Sequence, residues 1–142
     1  MNIVDRLMQI DDNAVNQKHV EVFRSHRLAR ILGESEPVEI QIRELPYRRV
    51  QDLTSMMIDQ KGRPKLEKKV DTELMLALEA IVNIDFRNKE LQDKFGCHTP
   101  KELCEKLLQS EVASIAELIS EMSGYNQDEE REKEELEEIK NS

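Results

Sequence analysis

Tryptophan is absent, and two tyrosines and three phenylalanines are the only aromatic residues among 142. Leu, Ile, Val and Met must therefore fill the core. Four glycines and four prolines are too few for a loop-rich β-sandwich, which needs turn residues about every 8–12 positions. The glycines stand singly at 33, 62, 96 and 124, so there is no glycine loop to cradle a phosphate. No apolar run approaches the roughly 20 residues of a membrane span, and the opening MNIVDRLMQIDDN lacks the basic flank and long apolar stretch of a secretion signal. Two cysteines without such a signal read as reduced thiols in a cytoplasmic chain.

Reactive constellations are missing too. Cys97-His98 and Cys104 place two cysteines seven apart beside one histidine, which is not a zinc-site spacing. His19 and His26 would join them only if the fold brought them close. No serine carries the local signature of a nucleophile. The many carboxylates fall on expected solvent faces, whereas acid–base catalysis needs a pair whose surroundings drive their proton affinities apart. The sequence thus predicts no catalytic residue, no cofactor and no metal.

What is present is charge. Charged residues make up 36% of the chain and hydrophobic residues 38%, with a net charge of −9. Such a surface repels nucleic-acid phosphates and suits a basic partner, or solubility support for a poorly soluble one. At this length one domain is expected, burying about 68–70% of the surface exposed by the unfolded chain. The basic stretch KGRPKLEKK at 61–69 lacks interleaved aromatics and sits in an acidic protein, so an inter-helix loop explains it better than a nucleic-acid site. It could also attract the acidic end of the same chain.

The periodicity predicts a mainly α domain of about five to six helices with a β-hairpin in its first half. Residues 1–10 place Ile3, Val4, Leu7 and Met8 on one face of a short amphipathic helix, which is expected to dock on its own domain or else on a partner, and 11–19 read as a polar linker. Within a globular domain spanning 20–125, the hairpin occupies about 20–43. Val38, Ile40 and Ile42 alternate with polar residues as its second strand, HVEVFRSHRLARIL supplies the first, and GESEP turns between them. Helices are expected at about 46–60, 70–84, 89–95, 100–108 and 111–123. The stripe Val70, Leu74, Ala77, Leu78, Ile81 and Val82 is the most regular, and the second of these helices is expected to be central. Asn88 and Thr99-Pro100-Lys101-Glu102 are N-terminal caps, and Gly96 and Gly124 are helix exits. Residues 126–142 carry eight acidic and three basic residues and only two aliphatics, Leu136 and Ile139. This composition predicts a solvated, disordered tail. No repeat is visible at solenoid periods.

One stretch has a familiar order. IDFRNKELQDKFGCHTPKELCEKLL, followed by a helix ending in EMSGY, resembles the XkdN-like phage tail assembly chaperones. The matching positions are Glu90, Leu91, Gln92, Asp93, Phe95 and Gly96, then Glu102, Leu103, Leu107 and Leu108, then Gly124 and Tyr125. The likeness extends more loosely over 20–125. Cys97-His98-Thr99-Pro100 departs from the family's small-residue loop, and Arg24, His26, Arg27 and Arg30 make the first strand more basic than its counterpart.

The resemblance implies a factor of the host bacterial cytoplasm that binds and solubilises the tape measure protein during tail morphogenesis, helps recruit the tail tube protein, and is absent from the mature virion. It also implies a longer, frameshifted form of the same protein as a further partner. Most of the motif positions are expected to be structural. The residues expected to grip a partner are Ile3, Leu7 and Met8, with Leu136 and Ile139 in the acidic segment. The N-terminal helix also permits a homo-oligomer. Two other readings fit the same charge: an acidic regulator that sequesters a basic DNA-associated factor, and a structural tail subunit retained in the particle.

Overall fold

A computed structural model describes residues 1–123 and Ile139. Among the described residues the chain forms eight helices and one two-stranded antiparallel sheet. Two short helices come first, α1 (Ile3–Met8) and α2 (Asp12–Asn16). Next come β1 (Val20–Ser25), α3 (His26–Leu32) and β2 (Val38–Arg43). Five helices complete the domain: α4 (Tyr47–Ser55), α5 (Leu66–Ala80), α6 (Lys89–Lys94), α7 (Pro100–Leu108) and α8 (Glu111–Met122).

The hairpin pairs Val20 with Arg43 at one end and Ser25 with Val38 at the other. Ile40 and Ile42 point inward and are fully buried, as the period-2 alternation demands. The connection is not the simple turn expected from GESEP. The first strand stops at Ser25, whose hydroxyl oxygen accepts from the Leu28 amide at 3.0 Å, the N-cap bond that starts a helix. HRLARIL then turns helically and buries Leu28 and Ala29, and Gly33 exits at φ 72°. A polar cap outweighed the β-branched content of this run.

The helix expected over 46–60 is shorter. The Thr54 and Ser55 hydroxyls donate back to carbonyls of the preceding turn and compete with its continuation. Asp59 Oδ1 then accepts from the Lys61 and Arg63 amides, each at 2.8 Å, closing a turn in which Gly62 takes φ 77°. Val50 and Leu53 are buried, but Tyr47 and Ile58 are exposed. α5 begins earlier and ends earlier than expected. Lys65 to Lys69 are mostly good helix formers and Pro64 immediately precedes them. At the other end Ile81 turns extended, bridges to Ile42, and leaves Val82 to donate to the Gln41 carbonyl at 2.9 Å. Val70 and Val82 are therefore exposed members of the expected stripe, while Leu74, Leu76, Ala77 and Ala80 are buried.

α5 is the central element and packs against α4, α7 and α8. Leu103, Cys104 and Leu108 of α7 and Val112, Ile115 and Ile119 of α8 close around it, and Ile40 and Ile42 cover its C-terminal end. The chemistry of the caps sets the α6–α7 region. Asn88 Oδ1 accepts from the Leu91 amide at 3.1 Å. Thr99 Oγ1 accepts from the Glu102 amide, while the Glu102 carboxylate accepts from the amide of His98, one residue outside the cap.

Candidate partner-binding site

The sequence places its apolar candidates on α1, and the structure keeps them in solvent. Asn2 Oδ1 accepts from the Asp5 amide at 2.9 Å and starts the helix. No residue of α1 is buried. Ile3, Val4, Leu7 and Met8 are 67, 66, 56 and 81% exposed. Ile3, Arg6 and Leu7 of this helix and Ile10 just beyond it border a shallow depression of 300 Å³. The polar stretch behind it holds α2, started by Asp11, which accepts from the Asn13 amide. α2 also buries nothing, so α1 and α2 form an arm ahead of β1. Of the other expected contacts, Ile139 is exposed and Leu136 lies outside the described residues.

The motif positions have mainly internal partners. Gln92 is buried at 1% exposure, and its Nε2 donates to the Phe86 carbonyl at 2.7 Å. Its own carbonyl accepts from the Cys97 amide at 2.8 Å, and the Asp93 carbonyl accepts from the Gly96 amide at 3.2 Å. Gly96 has φ 68°, the left-handed exit that glycine adopts without penalty. The Asp93 side chain is exposed. Leu91, Phe95 and Leu107 are half-buried against the core and Leu103 is fully buried. Gly124 and Tyr125 lie outside the described residues.

A polar cluster that the sequence reading missed ties the hairpin to the last helices. The Glu111 carboxylate accepts from Ser25 Oγ at 2.5 Å and from the amides of His26 at 3.2 Å and Arg27 at 3.4 Å. Arg27 in turn donates from Nε to the Leu107 carbonyl at 2.9 Å and from Nη2 to that of Lys106 at 3.2 Å. One acid thus caps the N-terminus of α3, and one base caps the C-terminus of α7. The signal was an isolated Ser-His-Arg in a strand-like run, with partners about 80 residues away and no local spacing to reveal them.

Two grooves cross the body. One of 630 Å³ runs along the end of α5 and the start of α7, with apolar Leu78, Ile81 and Phe86 and cationic Arg43, Arg87 and Lys101. Arg43 Nε is committed to the Glu79 carbonyl at 2.8 Å, and Lys101 pairs with Asp71 at 3.8 Å. The second, of 490 Å³, lies between α4, α5 and α8, lined by apolar Met57, Ile58, Leu76 and Ala116 and by charged Lys69, Glu73 and Glu117.

Neither groove gathers reactive groups. Among the described residues no three His, Cys, Asp or Glu side chains are placed to hold a metal ion. Cys97 and Cys104 are free and buried, and burial pushes the Cys104 thiol up to about 12, leaving it protonated near neutrality. Desolvation raises the Glu73 carboxyl against an opposing pull from Lys69. Backbone hydrogen bonds, first from Arg63, lower that of Asp59. No described helix is long and apolar enough to cross a membrane. The arrangement offers apolar and charged surface for another protein.

No curated protein matches the chain. The crystal structure of the protein YqbN is similar at 16% identity, over 74% of this chain and 86% of that one, with a TM-score of 0.48. The model of a family described as phage XkdN-like tail assembly chaperone protein matches residues 4–140. Because that match spans nearly the whole length, the chain belongs to the phage XkdN-like tail assembly chaperone family.

Proposed function

We propose that this tail assembly chaperone binds the tape measure protein in the host cytoplasm, keeps it dispersed, helps bring tail tube subunits to it, and leaves before the particle is finished, all without catalysing a reaction. The observation that carries the reading is α1. Four large apolar side chains stand more than half exposed on a helix that buries nothing of its own. An amphipathic helix in that state is suited to lie against an apolar helical surface, engaging it at i, i+3 and i+4 positions. The net charge of −9 would keep such a complex soluble by like-charge repulsion.

The test is co-expression of the tape measure protein with the chaperone carrying Ile3→Asp and Leu7→Asp. Burying a Leu or Ile side chain is worth about 1.5–3 kcal/mol, so losing both weakens the complex roughly a hundredfold or more. The tape measure protein should move to the insoluble fraction, while the chaperone's circular dichroism and unfolding midpoint stay as in the parent. Undiminished solubilisation by the double variant would remove α1 from the interface.

A further inference from the structure

Strand β1 has one edge paired and one open. On β2 the Gln41 amide donates to Asn83 Oδ1 at 2.9 Å, its carbonyl accepts from the Val82 amide at 2.9 Å, and the Glu39 carbonyl accepts from Asn83 Nδ2 at 2.9 Å. These groups point away from β1. Backbone polar groups alternate in direction along an antiparallel strand, so Ile40 and Ile42 hold the bonds to β1. Their partners in register are Phe23 and Glu21, whereas Gln41 and Glu39 lie opposite Val22 and Arg24. The N–H and C=O groups of Val20, Val22 and Arg24 therefore face outward, and no backbone group elsewhere among the described residues bonds to them.

The same residues set a side-chain pattern. Val20 and Val22 are 50 and 45% exposed, and Lys18 and Arg24 stand exposed at either end of the run. The ladder continues one step before β1, where the Glu44 amide donates to the His19 carbonyl at 2.7 Å, so Lys18 keeps the alternation. Among the described residues neither cation makes a salt bridge. Glu39, Gln41 and Arg43 form the β2 row of that face. Lys18, Arg24 and Arg43 thus stand against Glu39 alone, a cationic face on a chain of net charge −9.

We infer that the open edge of β1 is a docking site for an extended segment of another protein, added as an antiparallel third strand. Its side chains would run acidic, apolar, apolar, acidic at every second residue. Main-chain bonds to Val20, Val22 and Arg24 supply affinity, and the alternate side chains supply specificity. The apolar pair covers Val20 and Val22, and the carboxylates meet Lys18 and Arg24 as cross-strand partners. A guarded edge carries Lys or Pro along it; on β1 the charges stand at the ends and valines fill the middle. A second copy fits worse. The twofold register with Val22 opposite Val22 engages all the open backbone groups. It also sets Arg24 diagonal to Lys18, and Glu21 diagonal to Glu21, of the other copy, and such like charges oppose pairing. This surface lies on the hairpin and not on α1, so the inference does not rest on the tape measure reading.

The test titrates the ¹⁵N-labelled full chain with the peptide ETVTVTE, blocked at both ends. The Val20, Val22 and Arg24 amides should exchange with solvent rapidly in the free chain and roughly tenfold more slowly at saturating peptide. Glu21 and Phe23, already bonded to β2, should change little. The Lys18→Gln, Arg24→Gln variant should bind the peptide roughly tenfold more weakly, and KTVTVTK should not bind the parent. Methylating the amide nitrogens of both peptide valines removes donors, leaves the side chains, and should abolish binding. Exchange unaltered by millimolar ETVTVTE overturns the inference, as does undiminished binding by the variant. Equal protection by KTVTVTK or by the methylated peptide overturns it as well. Slow exchange of these amides in the free chain that quickens on dilution places a second copy on the edge, and overturns it too.

Discussion

Replacing Glu111 by alanine removes the one acceptor shared by Ser25 Oγ and the His26 and Arg27 amides. The Ser25 bond is short and its side chain is buried, so the hydroxyl proton is left without an acceptor. A hydrogen bond to a charged group contributes about 1.5–3 kcal/mol. The two amide bonds are longer and reachable by water, so their share is smaller. The negative charge near the start of α3 adds about 0.3–1 kcal/mol. The sum is a loss of about 2–4 kcal/mol. For a domain of this size that lowers the melting temperature by roughly 10 °C. Urea unfolding followed by circular dichroism should show the midpoint fall with its slope unchanged. The Ser25→Ala, Glu111→Ala cycle should give a coupling of about 1 kcal/mol or more, whereas Glu117→Ala, exposed on the same helix, should stay within about 0.5 kcal/mol of the parent. A loss below about 1 kcal/mol for Glu111→Ala, or an uncoupled cycle, would refute the reasoning.

Two further outcomes are expected. The Cys104 thiol sits near 12 against an ordinary value of 9, so the folded state holds its proton more tightly than the unfolded one. The contribution to stability is complete below about pH 9 and is lost as pH rises towards 12; iodoacetamide at pH 8 should label Cys104 only in denaturant, and rapid native labelling would contradict its burial. Gln109 joins α7 to α8 at φ 50° and ψ −127°, a conformation that favours glycine. Gln109→Gly should therefore raise the unfolding free energy by about 1 kcal/mol, measured by urea titration, and a destabilised variant would count against strain there.

Elements that announce themselves locally were legible in the sequence. The cap residues Asn88 and Thr99, the left-handed Gly96, and the alternation of Ile40 and Ile42 each depend on neighbours within a few positions. The chain there adopts what those neighbours favour. The α3 insertion was not legible, because Val20, Val22 and Phe23 give a strand signal that ends only where the Ser25 hydroxyl finds the Leu28 amide. The shared cap at Glu111 was equally hidden, since no local pattern joins residues 25 and 111. The α1 face was readable from the spacing of Ile3, Leu7 and Met8, but that spacing alone did not say whether the helix would lie against its own body. Its exposed state is a tertiary outcome.

The Ser25–Glu111 and Arg27–Leu107 contacts also dictate when this molecule can become complete. Both link the first third of the chain to its last described helices, so a nascent chain that has not yet reached α8 has an α3 capped by Ser25 alone and an uncovered flank along α5. The last described helix, α8, acts as a keystone. Everything before it can take local shape, but the arch stands only once residue 111 arrives, and long closures of this kind slow folding relative to a purely local bundle.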